Sequence, residues 1–329
     1  MTERWEDYVR RRTQGIPAEL VARREVEPRS FVGRGPRGTW LVHTPGEWLF
    51  HLDARLRELR RFKMPSRCFG THDVSPDGDL AYLSLSGSVR CVTAAGESVW
   101  EVTHPPWNYK ETSSGSVIAA RDGRHVWAMV PKPGSHDEWW RIDARTGEVV
   151  ASATLEFHAF ASARLSSPES DEIAATVVHP DGATRAFRVV DPARTTAARF
   201  GGEIAQVLDL HPDGTKLVGR RGDDLVLAAH ADGPELARRA PLGIFPDIQE
   251  YPGGMDRFGQ TALFVTSERV VVRSEREGSL AVLSAKDLEL LGPLEFRNGW
   301  GGSPAATDGL GRFISYDGSR NLSLWALGA

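Results

Sequence analysis

Histidine and carboxylate side chains are the groups in this 329-residue sequence that could transfer protons. His72 and Asp73 are adjacent, and His104 and His158 are alternative bases. Neighbouring residues on a strand point to opposite faces, so His72 and Asp73 cannot by themselves form a base with its orienting carboxylate. We therefore favour a bracing role for this pair in a strand. The candidate catalytic residues are His72, Asp73 and His158.

The motifs of common catalytic sites are missing from the sequence. It contains no Gly-x-Ser-x-Gly, no P-loop and no Gly-x-Gly-x-x-Gly placed after a strand. The sequence alone therefore indicates no reaction class, and we predict no cofactor.

A metal site is considered for the insertion VPKPGSHDEWW at 130–140. His136, Asp137 and Glu138 are suitable ligand types, but three neighbours in one loop more often form a solvated turn. Cys68 and Cys91 lack the spacing of a zinc site and are too few for a disulfide framework. We predict no metal and two reduced thiols.

Loops that combine aromatic with polar residues are the stronger candidates for a function. Aromatic walls with a few converging polar groups are what ligand pockets and peptide-binding surfaces require. The candidate ligand or partner residues in these loops are Arg67, Trp107, Tyr109, Lys110, Glu111, Phe160, Phe245, Asp247, Glu250, Arg297, Asn298 and Trp300.

A repeated turn indicates which elements position these loops. VSPDG at 74–78 returns in part as LHPDG at 210–214, and Pro-Asp-Gly favours a tight turn between strands. Related segments place turns at Gly38, Gly78, Gly123, Asp171, Gly214, Gly259 and Gly311, in steps of 40 to 52 residues. This spacing indicates an internal repeat with seven copies.

Each repeat unit contains several short apolar runs. In the second unit these are THDVS, DLAYLSL, SVRCVTA and SVWEV, and four strands in 40 to 50 residues form one propeller blade. The last unit has only PAATD, RFISYD and LSLWAL. We predict that 20–27, LVARREVE, supplies its outer strand and closes the ring, which would remove two exposed sheet edges.

Repeats of this length, turns such as SPDG and the segment IDARTGEVV at 142–150 resemble the WD-repeat and YVTN-like superfamily of seven-bladed propellers. The chain lacks the Trp-Asp dipeptide of WD repeats. The resemblance covers about 20–329 and implies a single all-β domain there. Residues 1–19 would form an arm with a short helix near 3–13. In such a propeller the aromatic and polar loops meet on one face around the central channel.

This superfamily includes both binding modules and enzymes, so the resemblance does not select one function. We favour a non-catalytic module that presents its loop face to a protein, a peptide or a small ligand. The alternative is a lyase, hydrolase or cyclase with acid and base residues converging in the central funnel, as in some bacterial propeller families.

Charge and hydropathy narrow the list of partners. The formal net charge is -4, and the chain has no long basic run and no window of about 18 apolar residues. We predict a cytoplasmic monomer that binds neither nucleic acid nor membrane.

Overall fold

A computed structural model describes residues 14–65, 70–107, 115–132, 137–154, 161–166, 173–178, 184–191, 196–199, 204, 206–221, 224–229, 236–240, 258–274, 280–297 and 301–328. The strands between 161 and 199 and between 236 and 260 are described by their backbone alone. The chain divides into two compact units, one formed by 1–26 with 201–329 and the other by 27–200. Strand β1 (Ile16–Glu25) belongs to the first of these units.

The unit 27–200 contains four sheets of four strands, each in chain order. Neighbouring strands in each sheet are antiparallel. The first two sheets are β2 (Phe31–Arg34), β3 (Trp40–Thr44), β4 (Trp48–Leu52), β5 (Glu58–Lys63), and β6 (Asp73–Val74), β7 (Leu80–Ser84), β8 (Ser88–Thr93), β9 (Ser98–Thr103). The next two are β10 (Ser116–Ala119), β11 (His125–Pro131), β12 (Asp137–Asp143), β13 (Val149–Thr154), and β14 (Ala161–Ser166), β15 (Ile173–Val178), β16 (Thr184–Asp191), β17 (Thr196–Arg199).

The other unit contains one four-stranded sheet and one eight-stranded sheet among its described residues. The four-stranded sheet is β18 (Gln206–Leu210), β19 (Lys216–Arg221), β20 (Asp224–Ala229), β21 (Leu236–Ala240). The larger sheet joins β1 to β22 (Phe258–Phe264), β23 (Arg269–Ser274), β24 (Leu280–Ser284), β25 (Leu290–Arg297), β26 (Ser303–Thr307), β27 (Arg312–Tyr316) and β28 (Asn321–Leu327).

The burial of each strand follows its place in the sheet. The second strand β11, HVWAMVP, is buried at six successive positions because both of its faces are covered. The fourth strand β13, VVASAT, alternates between half-buried and exposed positions because one of its faces meets solvent. The predicted strands of the second repeat unit are confirmed as β6 to β9.

The core lies between the faces of successive sheets. One cluster of buried residues brings side chains from β3 to β5 together with Val74, Ala81 and Leu83 of the next sheet. In the other unit, a second cluster brings strands β18 to β20 together with β22 to β24. Apolar burial of this kind holds four-stranded sheets together face to face.

The repeated turn has the same geometry in both of its copies. Gly78 and Gly214 have φ of 79° and 78°, the left-handed region that favours glycine. The N–H of Gly78 donates to the carbonyl of Ser75, and that of Gly214 donates to the carbonyl of His211, both at 2.8 Å. Gly38, Gly123 and Gly311 also have positive φ. The turn prediction is confirmed at these five positions.

The predicted turn at Gly259 is wrong. Gly259 lies inside strand β22, and the hairpin between β22 and β23 turns instead through Thr266, Ser267 and Glu268. The segment TSER contains neither Pro nor Gly, whereas DRFG ends in Gly and so resembles the Pro-Asp-Gly turn more closely. The predicted turn at Asp171 lies outside the described residues.

Strand β1 supplies the fourth strand beside β26, β27 and β28. It pairs antiparallel with β28, from Ala18 opposite Leu327 to Glu25 opposite Asn321. It begins at Ile16, before the predicted start at Leu20. It also pairs in parallel with β25, which joins the two sets of four strands into the eight-stranded sheet.

Helices are nearly absent from the part of the chain that the structure describes. The single short 3-10 turn there is Pro36–Gly38. The predicted helix near 3–13 lies outside the described residues. Within the described ranges, no helix has the length and apolar character needed to cross a membrane.

Removing β1 tests how strongly this strand stabilises its unit. Ala18 is buried with Val265, Phe313 and Trp325 in one cluster, so deleting 1–25 exposes that cluster and the edge of β28. We expect the deletion to lower Tm by about 10 °C or to prevent folding. Deleting 1–13 is the matched control because it leaves β1 intact. A 1–25 deletion that melts like the full chain would contradict this role.

Replacing Gly78 tests the geometry of the repeated turn. An alanine at position 78 would have to keep φ of 79°, and its Cβ would lie 2.7 Å from the His51 ring. We expect Gly78→Ala to lower the free energy of unfolding by about 1 to 3 kcal/mol in urea titrations. At Gly87 an added Cβ meets nothing closer than 3.7 Å, so Gly87→Ala is the control and should have little effect. Equal effects of the two variants would argue against a strained turn.

Candidate functional site

Most of the predicted loop face lies outside the described residues. This applies to Arg67, Tyr109, Lys110, Glu111, Phe160, Phe245, Asp247, Glu250, Asn298 and Trp300, and to the candidate base His158. The structure describes the four remaining candidates, which are His72, Asp73, Trp107 and Arg297. The role of the loop face as a whole therefore stays a prediction.

Trp107, a predicted ligand or partner residue, is buried. Its side chain is 7% exposed, and its ring meets the His104 ring edge-on at a centroid distance of 6.4 Å. Its backbone N–H donates to the carbonyl of Ser86 at 3.0 Å. An added Cβ at Gly115 would lie 2.7 Å from the Trp107 ring, so this glycine makes room for the indole. In this structure Trp107 packs and does not offer a free ring face.

Arg297 ends strand β25 and is exposed. Its guanidinium lies 3.7 Å from the carboxylate of Glu19 on β1, and both side chains are more than half exposed. An ion pair of this kind in solvent contributes little to stability.

Asp73 accepts one hydrogen bond from its own strand and one from the neighbouring sheet. Its Oδ1 accepts the N–H of Val74 at 2.8 Å, and its Oδ2 accepts the N–H of Ala119, on β10 of the next sheet, at 3.0 Å. In the other unit Asp209 repeats this arrangement with Leu210 at 2.9 Å and with Phe264, on β22, at 2.8 Å. The same geometry at two repeats indicates a bracing role for Asp73.

His72 takes part in the same local framework. Its Nδ1 accepts the N–H of Ser84 at 3.2 Å, which places the ring proton on Nε2. Beside it, the backbone of Thr71 bridges to Ser116 at the start of β10. These contacts support the bracing interpretation of His72 and Asp73 over a catalytic one.

Two rings that the sequence analysis missed, those of His43 and Phe31, lie next to this framework. The His43 ring is 4.8 Å from the His72 ring and 5.9 Å from the Phe31 ring, measured between centroids. Burial lowers the pKa of His43 to about 4, so its imidazole is neutral near pH 7. Phe31 is 68% exposed. The sequence signal for this group was an aromatic residue two positions before Gly33 on the first strand of its blade.

The two neighbouring tryptophans at the end of the 130–140 segment differ in burial. Trp139 is buried, whereas Trp140 is half-buried and its Nε1 donates to Glu138 at 2.9 Å. Glu138 also pairs with Lys132 at 2.7 Å. Burial acts to raise the pKa of Glu138, but the hydrogen bonds from Lys132 and Trp140 outweigh it and lower the pKa.

Other groups that the sequence proposed for chemistry are placed as follows. His136 and Cys68 lie outside the described residues. Among the described residues, no group of three His, Cys, Asp or Glu side chains is arranged to hold a metal ion. Cys91 is buried in an apolar cluster, and burial raises the pKa of its thiol to about 12. A thiol with this pKa is a poor nucleophile near pH 7.

His104 lies between the second and third sheets of its unit. Its ring meets the Trp140 ring edge-on at 6.2 Å between centroids, and its Nδ1 is 2.7 Å from the carbonyl of Pro105. Burial lowers the pKa of His104, while the carbonyls of Pro105 and Ser88 act in the opposite direction. This alternative base is therefore built into the packing around Trp107.

Comparison with solved structures identifies the fold. The structure of BamB from Moraxella catarrhalis matches with a TM-score of 0.55 and 13% identity, over 93% of this chain and 85% of that chain. The β-propeller domain of Myceliophteria thermophila Cps50 (Swd1) matches with a TM-score of 0.60 and 11% identity, over 95% of this chain and 100% of that chain. The chain folds as a β-propeller. Its blades are the four-stranded sheets, and the predicted propeller fold is confirmed.

The sequence itself shows no close relationship. No protein-family model matches the propeller chain, and a search of curated proteins found no match. At 11% and 13% identity, the two similar structures establish the fold alone.

Asparagine substitutions test the bracing carboxylates of the propeller. In Asp73→Asn or Asp209→Asn the amide retains only one oxygen, so one backbone N–H loses its acceptor. We expect each substitution to lower the free energy of unfolding by about 1 to 3 kcal/mol in urea titrations. Asp79 is the control because it forms an exposed ion pair with Arg60, and Asp79→Asn should change stability by less than about 1 kcal/mol. If Asp73→Asn and Asp209→Asn both unfold with the same free energy as the unchanged protein, these carboxylates do not brace the blades.

Proposed function

We propose that the chain is a non-catalytic binding module, a seven-bladed propeller that presents its loop face to a protein or peptide. The observation that carries this proposal is the pair of hydrogen bonds that the Asp73 carboxylate accepts. One oxygen of this catalytic candidate accepts a backbone N–H of its own blade and the other accepts one of the next blade, so the carboxylate serves the framework. Rigid frameworks that position variable loops are typical of binding surfaces.

The sheet topology supports seven blades. Five sheets have four strands each, and the eight-stranded sheet divides between β25 and β1 into two further sets of four. In this count β1 is the outer strand of the last blade, and its pairing with β28 closes the ring between the two ends of the chain. A helix at 3–13 and a single domain over 20–329 belong to the same proposal.

The binding face consists of loops that connect one blade to the next and of the hairpin at 130–140. It carries Arg67, Tyr109, Lys110, Glu111, Phe160, Phe245, Asp247, Glu250, Arg297, Asn298 and Trp300. The mixture of aromatic and charged side chains suits a protein or peptide surface better than an apolar metabolite. We propose that the module acts in the cytoplasm as a monomer.

Affinity capture with paired variants tests the loop face. We expect the full chain to enrich a protein partner and the double variant Tyr109→Ala/Lys110→Ala to reduce that enrichment about tenfold, since removing an anchor residue costs that much or more. Arg121 lies in the turn at the opposite end of its blade, so Arg121→Ala is the control. Unchanged Tm in all variants makes the comparison valid. Equal capture by the loop variant and the control would overturn the proposed face.

A further inference from the structure

Strand β5 is the outermost strand of its blade, and one of its edges has no paired strand among the described residues. Its other edge pairs with β4, from Glu58 opposite Leu52 to Lys63 opposite Trp48. In an antiparallel pair only alternate residues direct their N–H and carbonyl groups at the partner strand, so the remaining groups of β5 face outward. A row of such groups is a template for one more strand.

The charge of this outer strand is opposite to that of the whole chain. The segment 53–63, DARLRELRRFK, contains five basic and two acidic residues, whereas the chain has a formal net charge of -4. The Arg57 and Arg61 side chains are 71% and 58% exposed, and Lys63 is exposed as well. By contrast, the outer strand β13 of the same unit, VVASAT, carries no charged residue. The edge of β5 is therefore distinguished by its basic side chains.

Three carboxylates offset part of this charge. Asp53, Glu58 and Asp79 lie 2.7 to 3.7 Å from arginines of the segment. Five basic residues minus three carboxylates leave an excess of two positive charges. The ion pairs are partly exposed, so water and salt screen them. An excess of positive charge on an edge disfavours pairing with a basic strand and favours a strand that carries carboxylates.

The chain itself shows how an outer strand accepts another strand. Strand β25 pairs in parallel with β1, from Ile16 opposite Leu294 to Glu19 opposite Arg297. At the last of these positions the Glu19 carboxylate lies 3.7 Å from the Arg297 guanidinium. Strand β25 accepts β1 although its pairing with β24 contains a bulge, and the pairing of β5 with β4 contains a bulge as well. A bulged outer strand with an arginine can therefore pair with an extended segment that places a carboxylate opposite it.

We propose that the unpaired edge of β5 binds an extended acidic segment of a partner protein, which adds a fifth strand to this blade. The inference goes beyond the proposed loop face because it uses none of the loop residues. Side chains alternate along a strand, so Arg61 and Lys63 share one exposed face of β5 and meet the carboxylates of the added strand. A nucleic acid would supply negative charge but no peptide groups for the edge. A second copy that paired through its own β5 would bring like charges together.

Peptide probes test the charge and the backbone separately, by fluorescence anisotropy with the full chain. The labelled hexapeptide VEVEVE has both features, VKVKVK reverses the charge, and PEPEPE keeps the charge but lacks N–H groups at its prolines. We expect VEVEVE to bind at least about tenfold more tightly than either comparison peptide. Equal binding of PEPEPE would reduce the interaction to charge attraction and overturn the added strand. Equal binding of VKVKVK, or no binding of VEVEVE, would also overturn it.

Hydrogen–deuterium exchange followed by mass spectrometry locates the bound strand. With VEVEVE bound, we expect amide exchange in 58–63 to slow at least about tenfold, because new hydrogen bonds protect the outward N–H groups. The uncharged outer strand β13 at 149–154 is the internal control and should exchange at an unchanged rate. Unchanged exchange in 58–63, or equal protection in 149–154, would contradict a site on β5.

A charge reversal with a matched control tests the basic side chains. We expect Arg61→Glu/Lys63→Glu to weaken VEVEVE binding at least about tenfold. Arg121→Glu/Arg124→Glu changes the net charge equally in the exposed turn between β10 and β11 and should bind VEVEVE like the unchanged protein. Because the Arg61 guanidinium lies 5.0 Å from the Trp48 ring, Lys63→Glu alone replaces the double variant if Tm falls. Full binding by the β5 variant, or equal losses in the variant and its control, would overturn the proposal.

Discussion

The arrangement of the blades depends on a carboxylate hydrogen bond between the first strands of neighbouring blades. Apolar burial between sheets is strong but not directional, and it would tolerate a sheet that slides by one residue. Asp73 removes that freedom because its two oxygens accept one N–H from its own blade and one from the next. Asp209 does the same in the other unit, where it is buried and its hydrogen bonds are shielded from water. The register between neighbouring blades is therefore set by a charged acceptor.

The repeated turn follows from this constraint. Asp73 and Asp209 each lie shortly before the Pro-Asp-Gly turn, so the turn begins at a fixed distance from the carboxylate. Asp77 then accepts the N–H of Asp79 at 3.1 Å, and Asp213 accepts that of Thr215 at 2.8 Å. Each blade that has both features fixes its neighbour and then reverses the chain. The same turn occurs far apart in the sequence because the same junction between blades recurs.

The sequence predicted the elements that depend on local chemistry and missed those that depend on packing. Gly78 and Gly214 could be predicted because the left-handed backbone of a tight Pro-Asp-Gly turn favours glycine. A strand near 20–27 that pairs with the end of the chain could be predicted in outline because three strands leave an unpaired edge. Gly259 misled the alignment because a turn through Thr266, Ser267 and Glu268 satisfies the backbone without the usual residues. Trp107 looked like an exposed anchor because the space that Gly115 leaves for it is invisible in the sequence.

The placement of polar groups explains why an exposed ring can persist on such a framework. The polar side chains around the first blades are engaged, since Asp73 bonds backbone and His72 accepts the N–H of Ser84. Because the framework is satisfied without Phe31, the ring is not required for packing and remains 68% exposed. An exposed large apolar side chain beside open space gains free energy when a partner covers it, whereas a buried one gains nothing. Burial therefore distinguishes the two rings, because Trp107 fills the space that Gly115 leaves and Phe31 keeps most of its surface uncovered.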